Sequence, residues 1–288
     1  MLEPMSASET WPPVSGVVVA ATPLGNIGDA SPRLVEVLRG ADVIAAEDTR
    51  RVRALASALG VEISGRVVSN FDHNEAGRVE DLLGAARHGV VLVVSDAGMP
   101  LVSDPGHALV TAAHDAGIPV TCAPGPSAVT TALALSGLNV GHFIFDGFAP
   151  RKPGPRRAWL ESLAAQPRAV CFFESPHRIA STLRDAAVVL GPDRRAAVCR
   201  ELTKTYEEIR RGGLGELAEW AADGLRGEIT VVIEGGEAAA PDAADLVGLV
   251  LDRVAGGERL KDAVKEVARA HGAKSGELYD EAVAARDA

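Results

Sequence analysis

Short, nearly continuous apolar runs recur along this chain, and each stops at a polar turn. Residues 16–21 (GVVVAA), 42–46, 67–69, 90–94 and 120–123 are such runs, and apolar residues fall at helical spacing between them. A strand without polar alternation is buried on both faces, so helices have to cover its sheet from both sides. Strands alternating with helices in this way predict an α/β fold on a largely parallel sheet. Local signals agree. Ser31 before Pro32 joins a capping hydroxyl to a proline at the first helical position, and Gly60 stops the helix that follows Arg50. Further helices are expected over 80–87 and 107–116.

Pro124-Gly125-Pro126 is the strongest punctuation and reads as a domain boundary. Beyond it a helix is expected over 127–135, strands at 143–145, 169–173, 196–200 and 229–234, and a basic loop at 151–157. Residues 235–242 (GGEAAAPD) read as a small-residue linker before amphipathic helices at 245–254 and 261–271 and a third from Ser275. The expected organisation is a disordered extension (1–13), an N-terminal α/β domain (14–124), a C-terminal α/β domain (125–235), a linker (236–244) and a small helical domain (245–288).

The 288 residues, 47% hydrophobic and 24% charged, suffice for about two cores at ~150 residues each. The opening MLEPMSASETWPP has no apolar centre and differs from a signal peptide. No apolar stretch reaches the ~18 residues of a membrane span. Cys122, Cys171 and Cys199 are scattered through apolar runs, which fits inert core positions in a reducing compartment. A cytoplasmic protein without membrane association is expected. The net charge of −10 argues against a nucleic-acid partner on average. What counts is local clustering, and Arg50-Arg51-Val52-Arg53, Arg151-Lys152 and Arg156-Arg157 are basic knots.

Open α/β sheets bind ligands beyond the carboxyl ends of their strands. In this sequence those ends read TPLGN (22–26), AEDTR (46–50), NFDHNE (70–75), SDAGMPLVSDPG (95–106), FESPHR (173–178) and RELTK (200–204). Each alone is compatible with a capped turn, but together they make a constellation of polar groups. The 95–106 stretch is neither GxGxxG nor a P-loop, so a pyrophosphate cofactor is disfavoured. Its glycines and prolines suit a ligand read by backbone groups. Glu47, Asp48, Asp96, Asp104, Glu174 and Glu201 are candidate bases or hydroxyl acceptors, with helix capping as the alternative role for each. His73 and His177 sit inside polar motifs. No metal-ligand spacing is present, so no metal is expected.

At these motifs the chain resembles the ribosomal RNA small-subunit methyltransferase I group of the tetrapyrrole methylase superfamily. VVVAATPLGNIGD, IAAEDTR, HNE, VVSDAGMPLVSDPG, APGPSAVTTALALSGL, FDGFAPRK, ESPHR and RELTKTYEE, in this order, carry the resemblance over about residues 16–235. Met99 and Asp72 depart from the family pattern, which has SDAGTP and HEHNE at these places. The resemblance implies a two-domain α/β methylase fold with a cofactor cleft between the domains and a small C-terminal helical domain. It implies S-adenosylmethionine as cofactor and methylation of a cytidine ribose 2′-oxygen in 16S rRNA of the 30S subunit, by a homodimer. Cofactor contacts are expected from Pro23, Leu24, Gly25, Asp96, Gly98, Met99, Pro100, Val102, Ser127, Ala128, Leu202, Gly227 and Glu228. RNA contacts are expected from Arg50, Asn74, Arg151, Lys152, His177 and Arg178. The base stays open among Asp48, Glu47, His73, Glu201 and Lys204, with Asp48 as the residue expected to take or relay the hydroxyl proton. Two other functions fit less well: methylation of a small tetrapyrrole intermediate, and a non-catalytic RNA-binding role in ribosome assembly.

Overall fold

The computed structural model describes residues 11–70, 75–236 and 243–286. The chain forms two compact units, Met1–Leu163 with Arg168–Glu234, and Ala164–Pro167 with Gly235–Ala288. The extension expected at 1–13, His73, Asn74 and most of the expected linker fall wholly or largely outside the described residues.

The larger unit holds two sheets. The first contains β1 (Gly16–Ala20), β2 (Val43–Ala46), β3 (Arg66–Ser69), β4 (Val90–Val94) and β5 (Val120–Ala123), all parallel, in the order β3-β2-β4-β1-β5. Every residue of β1, β2 and β4 is buried, as continuous apolar runs require. Alternate residues feed opposite layers. Val18, Ile44 and Leu92 pack with Leu34, Val37 and Leu38 of α1 (Pro32–Gly40) and Val52 of α2 (Thr49–Ala58). Val17, Val43 and Val91 pack with Leu82 of α3 (Glu75–Ala86) and Leu109 of α4 (His107–Asp115). Ser31 caps α1 by accepting the Leu34 N–H at 3.1 Å.

Beyond α5 (Ala128–Ser136) comes the second sheet, built from β6 (Phe143–Phe148), β7 (Ala169–Glu174), β8 (Arg195–Arg200), β9 (Glu208–Gly213) and β10 (Ile229–Ile233). Its order is β6-β7-β10-β8-β9, and only the β6/β7 pair is parallel. The parallel arrangement read for residues 16–123 does not extend to this sheet, for a definite reason. β7 and β8 do run in the same direction, joined through α7 (Ile179–Leu190), but β10 inserts between them antiparallel to both. β9 is a strand the sequence reading did not contain, because EIRRGG has no apolar run and gains its order by pairing with β8. α5 covers one face of this sheet, with Leu24 and Leu202 in the same apolar cluster. The other face is covered by α6 (Pro153–Ser162), α7 and α8 (Leu214–Trp220).

The expected basic loop at 151–157 is also corrected. Pro153 opens α6, and Arg156 is buried on it, its guanidinium held by Asp185 at 2.8 and 2.6 Å. A buried cation persists only when paired, so Arg156 is core rather than a nucleic-acid contact. In the smaller unit, α9 (Ala243–Ala255), α10 (Leu260–His271) and α11 (Ser275–Arg286) share a core of Leu246, Val250, Val264, Val267 and Leu278. Among the described residues no helix is long and apolar enough to cross a membrane.

Candidate active site

The carboxyl ends of the first sheet are cross-tied. Thr22 and Gly98 exchange backbone hydrogen bonds at 2.9 and 3.0 Å, joining the turn after β1 to the turn after β4. The Asp96 N–H donates to Glu47 Oε2 at 3.1 Å, and the Asp48 N–H donates to Asp96 Oδ1 at 3.1 Å. Arg51 adds an ion pair to Asp96 at 3.4 Å. Glu47 is thereby fixed by the backbone of Asp96, and Asp96 by the backbone of Asp48. The stretch from 98 to 106 carries left-handed backbone at Gly98, Leu101, Ser103 and Gly106. Leu101 and Ser103 are strained there, a cost of ~1–3 kcal/mol each that concentrates at functional sites. A second strained pair, Glu201 and Thr203, follows β8. This segment meets the first sheet's turn, where the Asn26 N–H donates to Thr203 Oγ1 at 3.2 Å.

Between these edges lies a cavity of about 400 Å³, within the range of small-molecule sites. Backbone turns at 96–99, 127–129 and 227–230 border it, and Leu24, Met99, Val102, Phe148 and Phe173 supply apolar walls. Glu47, Asp96, Asp104, Glu174 and Glu228 bring five carboxylates against one cation, Arg51. Gly98 has a φ of 82°, a left-handed backbone that strains any other L residue, and a Cβ there would press on Leu24 Cδ2 at 3.0 Å. Ser95 Oγ and Asn70 Oδ1, at the ends of β4 and β3, are buried and have no hydrogen-bond partner among the described residues.

The model of the tetrapyrrole (corrin/porphyrin) methylases matches residues 16–218, which take in the first sheet and strands β6 to β9 of the second. The chain is 58% identical over 274 residues to the ribosomal RNA small subunit methyltransferase I of Mycobacterium bovis, covering 94% of this chain and 95% of that one. It is 39% identical to the Escherichia coli O157:H7 enzyme of the same name, over 91% of this chain and 92% of that one. The chain belongs to this methyltransferase family. Its fold is also that of the Thermus thermophilus uroporphyrin-III C-methyltransferase complexed with S-adenosyl homocysteine, with a TM-score of 0.53 at 19% identity, covering 77% of this chain and 97% of that one.

Of the expected cofactor residues, Leu24, Asp96, Gly98, Met99, Val102, Ser127, Ala128, Gly227 and Glu228 line the cavity. Pro100 borders a second, shallower depression with Leu101 and Cys122. Pro23, Gly25 and Leu202 are not part of the lining; Leu202 shares an apolar cluster with Leu24, and Gly25 lies against the Lys204 side chain. Of the described residues among which the resemblance left the base open, Glu47 lines the cavity and Asp48, Glu201 and Lys204 do not. Asp96, Asp104 and Glu174, also candidate bases by residue type, line it too. Asp48 is the N-cap of α2: it accepts the Arg50 N–H at 2.8 Å and Arg50 Nη2 at 2.7 Å. The Arg50 side chain holds its carboxyl down at about 2, too acidic for an efficient base at neutral pH. Glu201 and Lys204 bond to each other at 2.9 Å, and Lys204 reaches Glu228 at 3.1 Å. The Lys204 bond holds Glu201 low, whereas burial would lower Lys204 but its two carboxylate partners raise it. The pair locks the loop after β8.

Among the expected RNA contacts, Arg50, Arg151, Lys152 and His177 are exposed. Arg178 is a correction. Its guanidinium pairs with Glu174, whose side chain is fully buried, and also reaches the Ala149 carbonyl and Ser175 Oγ. A buried carboxylate needs that neutralising partner, so Arg178 is held inside the fold. Phe148, Phe173, Arg51 and Ser175 on the cavity were outside the expected set.

Proposed function

We propose that this chain transfers a methyl group from S-adenosylmethionine to the ribose 2′-oxygen of a cytidine in 16S rRNA of the 30S subunit. The observation that carries the reading is the cavity's acidic lining, in a chain 58% identical over 94% of its length to an rRNA small subunit methyltransferase. In that lining Glu47 and Asp104 join Asp96 (paired with Arg51), Glu228 (paired with Lys204) and the buried Glu174 (paired with Arg178). Such a lining favours a cationic ligand and opposes a pyrophosphate or a polycarboxylate. The cofactor fits this lining. Bound there, it supplies an electrophilic methyl on a sulfonium. The Gly98 turn lets backbone come close to it, and Leu24, Met99 and Val102 exclude water. Glu47, held by the Asp96 N–H, is placed to take the ribose hydroxyl proton. RNA phosphates stay outside the acidic cavity, on Arg50, Arg151 and Lys152.

The acidic lining weighs against the tetrapyrrole alternative, whose polycarboxylate substrate needs arginines. Incubating the protein with cofactor labelled in its methyl group, and with either 30S subunits or tetrapyrrole precursors, decides between them. Label in 16S rRNA that maps to a 2′-O-methylcytidine is expected. Label in the tetrapyrrole, or on a base of the RNA, would overturn the reading.

A further inference from the structure

The second sheet gives the cavity a wall that the fold itself does not require. Phe148 keeps 59% of its surface exposed, although a ring of that size is ordinarily inside. Strand register explains its position. Phe143, Ile144 and Phe145 of β6 lie opposite Ala169, Val170 and Cys171 of β7, and then one extra residue slips in, so that Phe148 falls opposite Phe173. Side chains alternate faces along a strand, so an uninterrupted β6 would turn Phe148 to the Ile144 face. The bulge returns it to the face of Phe145 and Phe173, and Gly147, at φ 68°, supplies the left-handed residue for the turn. Both Phe145 and Phe148 meet Phe173 edge-on, with ring centres 5.0 and 5.4 Å away. Phe148 and Phe173 both line the cavity.

The residues that follow are chemically matched. Ala149 is buried and anchors the chain, and Arg151 and Lys152 are exposed at the start of α6. An open aromatic ring beside adjacent cations is how proteins hold single-stranded nucleic acid, with a base on the ring and phosphate on the cations. An enzyme that works on one nucleotide of a folded RNA has to take it out of its stack, and the displaced base then needs a new surface.

We propose that Phe148 is the platform on which the target nucleotide's base stacks, with Phe173 as its edge-on support and Arg151 and Lys152 on the adjoining backbone. The inference rests on the RNA reading above and adds the group that holds the base. Stacking is tolerant of sequence, so Phe148 sets affinity and leaves base identity to other contacts.

The test uses the full chain carrying F148A, F148L or F148Y. Three quantities are measured: KM for 30S subunits, affinity for a short single-stranded oligocytidylate, and calorimetric affinity for S-adenosylmethionine. F148A and F148L should weaken both RNA readouts about 5- to 150-fold. F148Y should stay near wild type, and cofactor affinity should hold in all three. Because the ring carries no charge, the salt dependence of binding should not change. Wild-type behaviour of F148L would overturn the platform, since leucine keeps the bulk and loses the ring. Loss of cofactor affinity in F148A would instead make the ring a cofactor wall. A shift in its sedimentation from that of wild type would make the ring a contact between two copies. If wild-type protein neither binds oligocytidylate nor methylates 30S subunits, the RNA reading falls and takes the platform with it. If wild type methylates and F148L matches it, the platform falls alone.

Discussion

The two sheets of the larger unit deliver residues to one cavity by different means. In the first, all strands run the same way, so the turns after β1, β2 and β4 emerge at a single edge and can tie to one another, as Thr22 does to Gly98 and Glu47 to Asp96. In the second, direction alternates, and the edge facing the cavity collects the ends of β6, β7 and β8 together with the start of β10. The register is direct: Ile229 opposes both Glu174 and Arg200. The cores differ as well. The buried polar residues of the first sheet's region are neutral (Thr22, Asn70 and Ser95), whereas the second buries Arg156, Glu174 and Asp185. Parallel strands concentrate turns, and the mixed sheet is left to position groups through a bulge and through buried ion pairs.

The difference in cores gives the largest expected effect. Asp185 takes Arg156 at 2.6 Å and Arg157 at 3.1 Å, and its partner Arg156 is almost wholly enclosed. D185A would strand a buried guanidinium, at a cost of ~3–5 kcal/mol in urea unfolding. In the first sheet's region the counterpart T22V removes only the bond from Thr22 Oγ1 to the Ser95 carbonyl, worth ~1 kcal/mol. Equal losses from the two substitutions would break the contrast.

Next in size is catalysis, which the comparison locates on the parallel edge. E47Q keeps the bond from the Asp96 N–H and removes the basic carboxylate. Turnover on 30S subunits should fall at least ~100-fold with cofactor affinity unchanged. Near-normal turnover would send the search for the base to Asp104 or Glu228, which also line the cavity.

How much of this was legible in the sequence depends on how local each signal is. β4 matches its apolar run because burial on both faces leaves nothing polar to confuse the reading. β9 was invisible, since its residues are polar and its partner supplies the order. Arg156 read as surface because the Asp185 that buries it lies 29 residues away. In the site, the glycine and proline turns of 95–106 pointed to Gly98 and Met99, whereas Ser127 and Gly227 came only from the family resemblance; all four line the cavity. Phe148 gave no such signal: an aromatic closing an apolar strand reads as core, and only the register of β6 against β7 reveals the bulge that turns it outward. Asp48 was ambiguous from the start, as capping and catalysis use the same residue type.

A smaller effect is expected at the rim of the mixed sheet. Replacing Arg151 and Lys152 together by alanine should flatten the slope of log affinity for single-stranded RNA against log salt by about 1.4. Stability and cofactor affinity should hold, because both side chains are exposed. An unchanged slope would mean that RNA follows the parallel edge instead, along Arg50 and Arg51.

The smallest effect tests the parallel edge from its structural side. Asp48 caps α2 and is clamped by Arg50, whose own side chain is 88% exposed. That clamp lowers the Asp48 carboxyl from 3.8 to about 2. A carboxylate whose folded pKa lies below its unfolded value adds stability that is complete above the unfolded value and lost as pH falls through the folded one. The contribution should therefore be present above about pH 4 and vanish towards pH 2. D48N retains an oxygen able to cap the helix but cannot titrate or pair with Arg50. Its melting temperature should sit slightly below wild type at neutral pH, and the gap should close as the solution is acidified across that window. Turnover on 30S subunits should stay within a few-fold of wild type, in contrast to E47Q. A loss in D48N as deep as that of E47Q would make the two neighbours a single catalytic unit and would return Asp48 to the chemistry.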